Sequence, residues 1–358
     1  MPHIRLPAIY YFYPMWHFVS FTKVARNYIA GLRQYIKVYE IDELTFYTFN
    51  FEAGLPAIVH PWFFVAEKRP ERILQIKARV KALIGVDVAD TDRLSKKAVH
   101  LANLTDAMIV PSTYCKEVYE KSGVKVPVYV VPHALDPIYY SGKLKPLDPQ
   151  LRKIYELKQK RGYIYVLYFL IHSGIRKGAP EVYAVMREIL RMFPNVKLVV
   201  KLGGLTGIHA KLLTQLTDLY IAKHLSEHDV VALYDMCDIY LLFSRGGGFE
   251  LNGLEALARG LVVIAGCRGS WTDYLPEFCL IRKVHPAPCF LNVDPVKHIH
   301  IGMGYRVDIE EAIDKVKDVI ENLDDYKARV REHWEKIKDK YTISSVGKQF
   351  YEVIRRFL

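Results

Sequence analysis

The sequence predicts an α/β protein made of two Rossmann-like, doubly wound domains that face a cleft. Three observations predict it. The chain has 358 residues, 51% of them hydrophobic, which is too much for one ordinary core and suits two. Short apolar runs alternate with amphipathic stretches of helical spacing along its length. That alternation is the pattern of parallel strands joined by helical crossovers. It is interrupted around residues 137–159, where Pro, Gly and Lys occur with little periodicity.

The elements follow in order. Ala8–Tyr13 reads as a strand, Lys23–Tyr35 as a helix, and Lys37–Ile41 and Ala57–Val59 as strands. Glu71–Leu83 reads as a helix that leads into the apolar run Ile84–Val88. Arg93–Leu104 is amphipathic and precedes the strand Ala107–Val110. Ser112 stands where an N-cap is needed for the helix Lys116–Ser122, and Val128–Val131 closes this half. In the second half, strands at Ile164–Ile171, Val196–Lys201, Leu219–Ala222, Ile239–Phe243 and Val262–Ala265 alternate with helices at Pro180–Met192, Asp229–Met236 and Leu251–Arg259. Ile309–Leu323, Tyr326–Lys340 and Ser344–Leu358 read as charged amphipathic helices. The first domain therefore covers residues 1–140, a linker 141–160, the second domain 161–335 and a closing helix 336–358. Ligands of such sheets bind outside the carboxyl ends of the strands.

Composition narrows the function classes. No apolar run reaches the roughly 18 residues of a membrane span, and the first residues lack the three-part plan of a signal peptide. A cytoplasmic protein is expected, with peripheral contact at the inner membrane face as an option. The formal charge of +11 favours anionic partners: phosphorylated substrates, anionic membrane or nucleic acid. The chain carries no zinc-finger pattern, RNA-recognition signature or long basic run, so no nucleic-acid partner is expected. The five cysteines are odd in number and form no CxxC pair, so they read as buried thiols rather than disulfide or metal ligands. Oligomeric state is not legible.

One segment carries the chemistry. SRGGGFELNGLEALARG, residues 244–260, follows the strand Ile239–Phe243. Gly246, Gly247 and Gly248 let a ligand approach the backbone closely. The helix that follows points free N–H groups and a positive dipole end at the turn, which suits a diphosphate. Glu255, in its first turn, can accept hydrogen bonds from vicinal hydroxyls such as those of a ribose. Without a ligand, the same pattern is a glycine loop with a helix-dipole glutamate.

The flanks of that segment resemble the donor-binding half of retaining GT-B glycosyltransferases of the family 4 type (glycosyl transferases group 1). Leu233-Tyr234, Cys237-Asp238, Ser244, Gly248-Phe249, Leu251 and Glu255-Ala256-Leu257-Ala258-Arg259-Gly260 match in register. HSGIRKG, residues 172–178, matches at Lys177-Gly178, and the turn Pro132-His133-Ala134-Leu135-Asp136 resembles the end of the family's acceptor domain. The likeness is strong over residues 106–277, fair in the tail and weak in the first hundred residues.

The resemblance implies metal-independent transfer of a sugar from a UDP- or GDP-sugar to a glycan, lipid-linked or other hydroxyl acceptor, with retention. No tightly bound cofactor is implied. It also implies a last helix that crosses back to the first domain. Arg176 and Lys177 would stabilise the leaving diphosphate. Ser173, Gly174, Lys201, His224, Leu225, Gly248, Phe249, Leu251 and Glu255 would hold the donor, with the base near Lys223–Leu225.

Three departures qualify this. The family's arginine falls at His172, so Arg176 would act from a neighbouring place. The first of the family's two glutamates falls at Gly247, while Glu250 occupies a family glycine position. Glu250 either reaches the sugar from another angle or is a helix N-terminal charge. The loop after the first strand is the aromatic run Pro14–Ser20 instead of a glycine-rich turn. His60, Asp87, Asp90 and Asp92 are candidates to orient an acceptor hydroxyl, and Asp92 is carried as the catalytic one. Two readings stay open: an active transferase, or a weakened module that binds nucleotide or glycan without turnover.

Overall fold

The computed structural model describes residues 7–17, 19–52, 54–205, 207–290 and 296–358. The first six residues and Phe18 of the aromatic loop lie outside that set. The chain divides into two units: Met1–Asp136 with Pro295–Gly302 and Asp339–Leu358, and Pro137–Asp294 with Met303–Lys338.

The first unit runs β1 (Ala8–Tyr13), α1 (Ser20–Leu32), β2 (Lys37–Asp42), β3 (Ala57–Val59), α2 (Trp62–Ala66), α3 (Ile73–Lys77), β4 (Leu83–Val86), α4 (Lys96–Asn103), β5 (Ala107–Val110), α5 (Thr113–Ser122) and β6 (Val128–Val130). Its six strands pair in parallel in the order β2-β1-β3-β4-β5-β6. Each residue of β1 is buried, as expected of a strand covered on both faces. Ser112 caps α5 by accepting from the Cys115 N–H, and Gly123 ends it at a φ of 99°. Such a cap stabilises a helix by about 1 kcal/mol. The expected helix Glu71–Leu83 is instead a 3₁₀ turn, Pro70–Arg72, and the short α3. Pro70 fixes the start, and only Ile73 and Ile76 of α3 are buried.

The second unit begins with a helix that the sequence hid. Residues expected to form the linker contain α6 (Pro149–Arg161), capped by Asp148 and ended by Gly162 at a φ of 64°. Only Leu151 and Ile154 of α6 are buried, so it shows almost no apolar stripe. Then come β7 (Ile164–Leu170), α7 (Ala179–Met192), β8 (Val196–Leu202), α8 (Ile208–Thr214), β9 (Tyr220–Ile221), α9 (Glu227–Asp235), β10 (Ile239–Leu242), α10 (Leu251–Ala258), β11 (Val262–Gly266) and β12 (Leu280–Ile281). These strands also form a six-stranded parallel sheet, ordered β12-β11-β10-β7-β8-β9. β13 (Val284–Ala287) and β14 (Gly304–Val307) add an antiparallel pair that the sequence reading did not foresee. The helices α11 (Ile309–Glu321) and α12 (Leu323–Ile337) follow.

The last helix, α13 (Ile343–Ile354), belongs to the first unit and packs on α1. Two glycines make this possible. A Cβ on Gly31 would lie 2.5 Å from the Ile343 carbonyl oxygen and 2.6 Å from the Gly347 Cα. The backbones therefore touch, and Tyr35 stacks on Tyr351 at 5.0 Å beyond the crossing.

Among the described residues, no helix is long and apolar enough to cross a membrane.

Candidate active site

Strand order fixes where the second unit can hold a ligand. Its chain winds outward from β7 to β8 and β9 on one side, and β10, β11 and β12 lie on the other. The loops leaving β7 and β10 at their carboxyl ends thus part at the point where the winding reverses, the usual crevice of such sheets. These two loops, residues 171–178 and 243–250, contain the expected catalytic residues Arg176, Lys177 and Glu250.

The β7 loop is tightly determined. The Lys177 N–H donates to the Ser173 carbonyl, the Ala179 N–H to that of Gly174, and Tyr168 Oη to that of Lys177. Ser173 is left-handed at a φ of 54°. Gly178 has a φ of 76°, and a Cβ there would lie 2.0 Å from the Phe243 carbonyl oxygen. The loop is thereby pressed against the end of β10, and the Arg245 N–H donates to the Arg176 carbonyl at 2.7 Å.

Across this seam the charges meet. Lys177 Nζ lies 2.6 and 2.9 Å from the two Glu250 carboxylate oxygens. Arg176 donates to the Gly246 carbonyl at 3.1 Å and lies 3.6 Å from Glu250. Two cations and one anion leave the cluster one net positive charge beside the first turn of α10, whose dipole adds to it. Arg176 and Glu250 are both buried.

The structure explains the rearranged glutamates. A Cβ on Gly247 would stand 2.2 Å from Glu250 Oε1, so the Glu250 carboxylate fills the space a side chain at 247 would need. Glu250 itself is left-handed, at φ 60° and ψ 65°, the conformation that favours glycine. Tyr274 holds that backbone by donating to the Glu250 carbonyl at 2.8 Å, and Ser270 donates to the Gly247 carbonyl at 2.7 Å. A side chain at 247 and the Glu250 carboxylate thus compete for one space. Gly247→Ala alone is expected to cost about 1–3 kcal/mol by overpacking. Adding Glu250→Gly should recover most of that loss, measured as chemical-denaturation midpoints. A single variant as stable as the parent protein would refute this steric coupling.

The other expected donor residues lie in β8, in the loops after β9 and β10, and in α10, where Glu255 falls beyond the first turn. Lys201 closes β8, where burial lowers its pKa and Nζ donates to the Leu202 carbonyl at 3.0 Å. His224 is exposed and Leu225 buried between β9 and α9. Neighbouring Lys223 pairs with Asp148, the cap of α6, at 2.5 Å. Gly248 and Phe249 are buried, with Phe249 5.5 Å from Tyr274, and Leu251 is half-buried. Glu255 is buried and accepts from Tyr234 Oη at 3.0 Å, with Tyr139 also against it. The matched Leu233-Tyr234 pair therefore has two tasks: Leu233 fills the core, and Tyr234 orients the glutamate.

Several contributors escaped the sequence reading. Arg245 and Glu181 form a buried ion pair at 2.7 Å, and Arg245 also donates to the Pro288 carbonyl. His209 of α8 packs on Gly174, where a Cβ would meet its ring at 2.4 Å. Arg245 lies inside the singled-out segment, so its charge was a usable signal. Glu181 and His209 gave none, because only folding brings them near.

Asp92 belongs to the first unit, not to this cluster. It is half-buried in the loop between β4 and α4, beside Gly302. Its neighbours differ in kind. Asp87 is buried and accepts from the Phe63 and Val88 N–H groups, yet burial still lifts its pKa to about 7. His60 is buried against Tyr11 and Tyr28, and burial with nearby His133 lowers its pKa to about 3, so it stands neutral in the core.

No protein-family model matches the chain. "Uncharacterized protein 356" of Sulfolobus islandicus rod-shaped virus 1 is 35% identical over 359 residues, covering 98% of this chain and 99% of that one. The chain belongs to the family of that viral protein. "Putative glycosyltransferase 45" of a Sulfolobus islandicus filamentous virus is 31% identical over 201 residues. That match takes in 54% of this chain and half the length of the other. Among solved structures, HepE of Anabaena, crystallised with UDP and glucose, superposes with a TM-score of 0.66 at 15% identity, covering 98% of this chain and all of that one. The pneumococcal O-GlcNAc transferase GtfA, in complex with UDP and GlcNAc, gives 0.59 at 13% identity. Here 88% of this chain matches 59% of the longer GtfA chain. The E. coli trehalose-6-phosphate structure bound with UDP-2-fluoro glucose gives 0.60 at 12% identity, covering 86% of this chain and 74% of that one. These likenesses establish the GT-B fold, as the sequence led us to expect.

Proposed function

We propose that this protein is a glycosyltransferase that moves a sugar from a UDP-sugar to a hydroxyl acceptor, with retention and without a metal. The observation that carries the reading is the Arg176–Lys177–Glu250 cluster at the reversal point of the second sheet, beside the start of α10. The viral relative named as a glycosyltransferase and the UDP-bound structures of the same fold support it.

In the reaction, the bond between the anomeric carbon and the diphosphate oxygen breaks, and its electron pair leaves on the diphosphate. A new bond forms to the acceptor oxygen, whose proton passes to the departing diphosphate oxygen. Negative charge grows on the leaving group, where Lys177 and Arg176 lower the barrier together with the α10 dipole. Glu250 fixes Lys177 in place and is the carboxylate positioned to meet sugar hydroxyls. Glu255, steadied by Tyr234, takes the ribose.

A second reading has one observation in its favour: both cations already pair with Glu250. Such a site could bind nucleotide without turnover. Glu255→Ala tests the shared part. Calorimetry should show UDP bound at least tenfold more weakly than by the parent protein, and an unchanged affinity would remove Glu255 from the site. A panel of UDP-sugars assayed for UDP release then separates the readings: release that rises with added acceptor is expected, and tight UDP binding with no turnover on any donor would favour the binding module.

A further inference from the structure

The first unit has its own reversal point, between β1 and β3, and a cavity of about 500 Å³ opens there. Pro14, His17 and Val19 of the aromatic loop line it, with Pro61 from the turn after β3 and Phe63 and Phe64 from α2. Further wall comes from Glu43, Glu67, the β4 loop and residues 296–300. This last piece is firmly seated. His300 forms a bridge with Leu94, the Ser95 N–H donates to the Ile299 carbonyl, and His298 lies 2.6 Å from Glu67.

The chemistry of the lining is unlike the rest of the molecule. The chain carries a formal +11, yet among the described residues that line the cavity none is lysine or arginine. The ionisable lining groups are the carboxylates of Glu43, Glu67, Asp87 and Asp90 and three histidines. Lys68 stays at the edge, 3.9 Å over the Phe64 ring. Glu43 is the informative member. It is 2% exposed, and its Oε2 is buried with no hydrogen-bond partner. A buried acceptor left unpaired costs about 1–3 kcal/mol, which a donor from a ligand would recover. Burial pushes the Glu43 carboxyl up. Among the described residues no group of His, Cys, Asp and Glu could hold a metal ion, so the acids do not make a cation cage.

We infer that this cavity binds an uncharged, hydroxyl-rich ligand with an apolar face, a saccharide or glycoside, and rejects phosphorylated ones. Hydroxyl groups donate to Glu43 and the neighbouring aspartates. The Phe64 and Phe63 rings cover the C–H face of the sugar. A phosphate meets the acidic side chains of Glu43, Glu67, Asp87 and Asp90 with no lysine or arginine in the lining to offset them. If the protein performs the transfer proposed above, the ligand is of the acceptor class and a phosphate-bearing lipid is not.

The test uses the full chain and two probes, 4-nitrophenyl glucoside and glucose 6-phosphate, with saturation-transfer NMR and calorimetry. The glucoside should bind and the phosphate should not. Glu43→Gln, which keeps the shape of the side chain, should weaken glucoside binding about tenfold while leaving UDP affinity unchanged. Phe64→Ala alters a residue that is 51% exposed and so spares folding. It should have an effect of similar size. Binding of glucose 6-phosphate as tight as that of the glucoside would overturn the inference, as would glucoside affinity that neither variant changes. Failure of UDP to bind, with the glucoside effects intact, would count against the transferase reading alone and leave the saccharide site standing.

Discussion

Lys177→Ala is expected to lower the turnover number on a UDP-sugar by about a hundredfold to a thousandfold, the scale on which one positioned charge-stabilising donor acts. The reason is placement. Lys177 Nζ is held 2.6 Å from Glu250 by a loop whose backbone is fixed by three hydrogen bonds and by the close contact of Gly178 with Phe243. A charge held in advance costs no reorganisation when the leaving diphosphate becomes negative. The effect should fall mainly on kcat, because charge grows on the leaving group only in the transition state. Lys177→Arg keeps the charge but not the compact ammonium geometry, so partial activity is expected. The alanine variant also leaves the buried Glu250 with Arg176 as its nearer remaining cation, so its melting temperature must be recorded beside its rate. A folded Lys177→Ala protein with kcat within threefold of the parent would remove Lys177 from the mechanism.

Asp238→Ala is expected to destabilise the second unit by about 3–5 kcal/mol, the usual cost of removing one partner from a buried ionic group. Asp238 is 6% exposed and accepts from Lys158 and Lys327 at 2.5 Å each and from the Tyr165 N–H at 2.8 Å. It therefore joins α6, α12 and the start of β7. Burial by itself works to raise its pKa, and the two lysines outweigh burial and lower it. The sign of the pH dependence follows. A carboxyl whose folded pKa lies below its unfolded value, about 3.9, stabilises fully above that value. It loses the contribution as pH falls through the folded pKa. The Asp238 contribution, read as the melting-temperature difference between the parent and Asp238→Asn, should accordingly be constant above about pH 5 and shrink below pH 4. An Asp238→Ala protein that melts with the parent would show that the ionic group is dispensable.

These two residues sit in matched motifs and do different work. The Cys237-Asp238 match pointed towards the donor site, but Asp238 proves to be a clamp between helices and sheet. Lys177 and Glu250 carry the chemistry of the proposal, and their relation was not visible in one dimension. They are 73 residues apart, and only the adjacency of β7 and β10 brings them together. The same holds for Glu181 with Arg245.

The sequence determined what depends on local pattern. Fully apolar runs such as AIYYFY became buried parallel strands, because a strand covered on both faces has no polar side to show. Ser112 became a cap because hydroxyl and backbone N–H lie within one turn. The alternation of strand and helix determined two parallel sheets, and sheets of that kind place their crevices at strand ends.

The tertiary structure decided what depends on distant neighbours. Helix α6 hid because only two of its residues are buried, while its cap Asp148 and Lys158 do the anchoring. Gly247 where the resemblance expects a glutamate, and Glu250 where it expects a glycine, looked like a broken motif in sequence. In space, the Glu250 carboxylate lies where a side chain at 247 would begin. A motif read along the chain records the order of residues, whereas a site is defined by where side chains end, and backbone conformation at a single residue can trade one for the other.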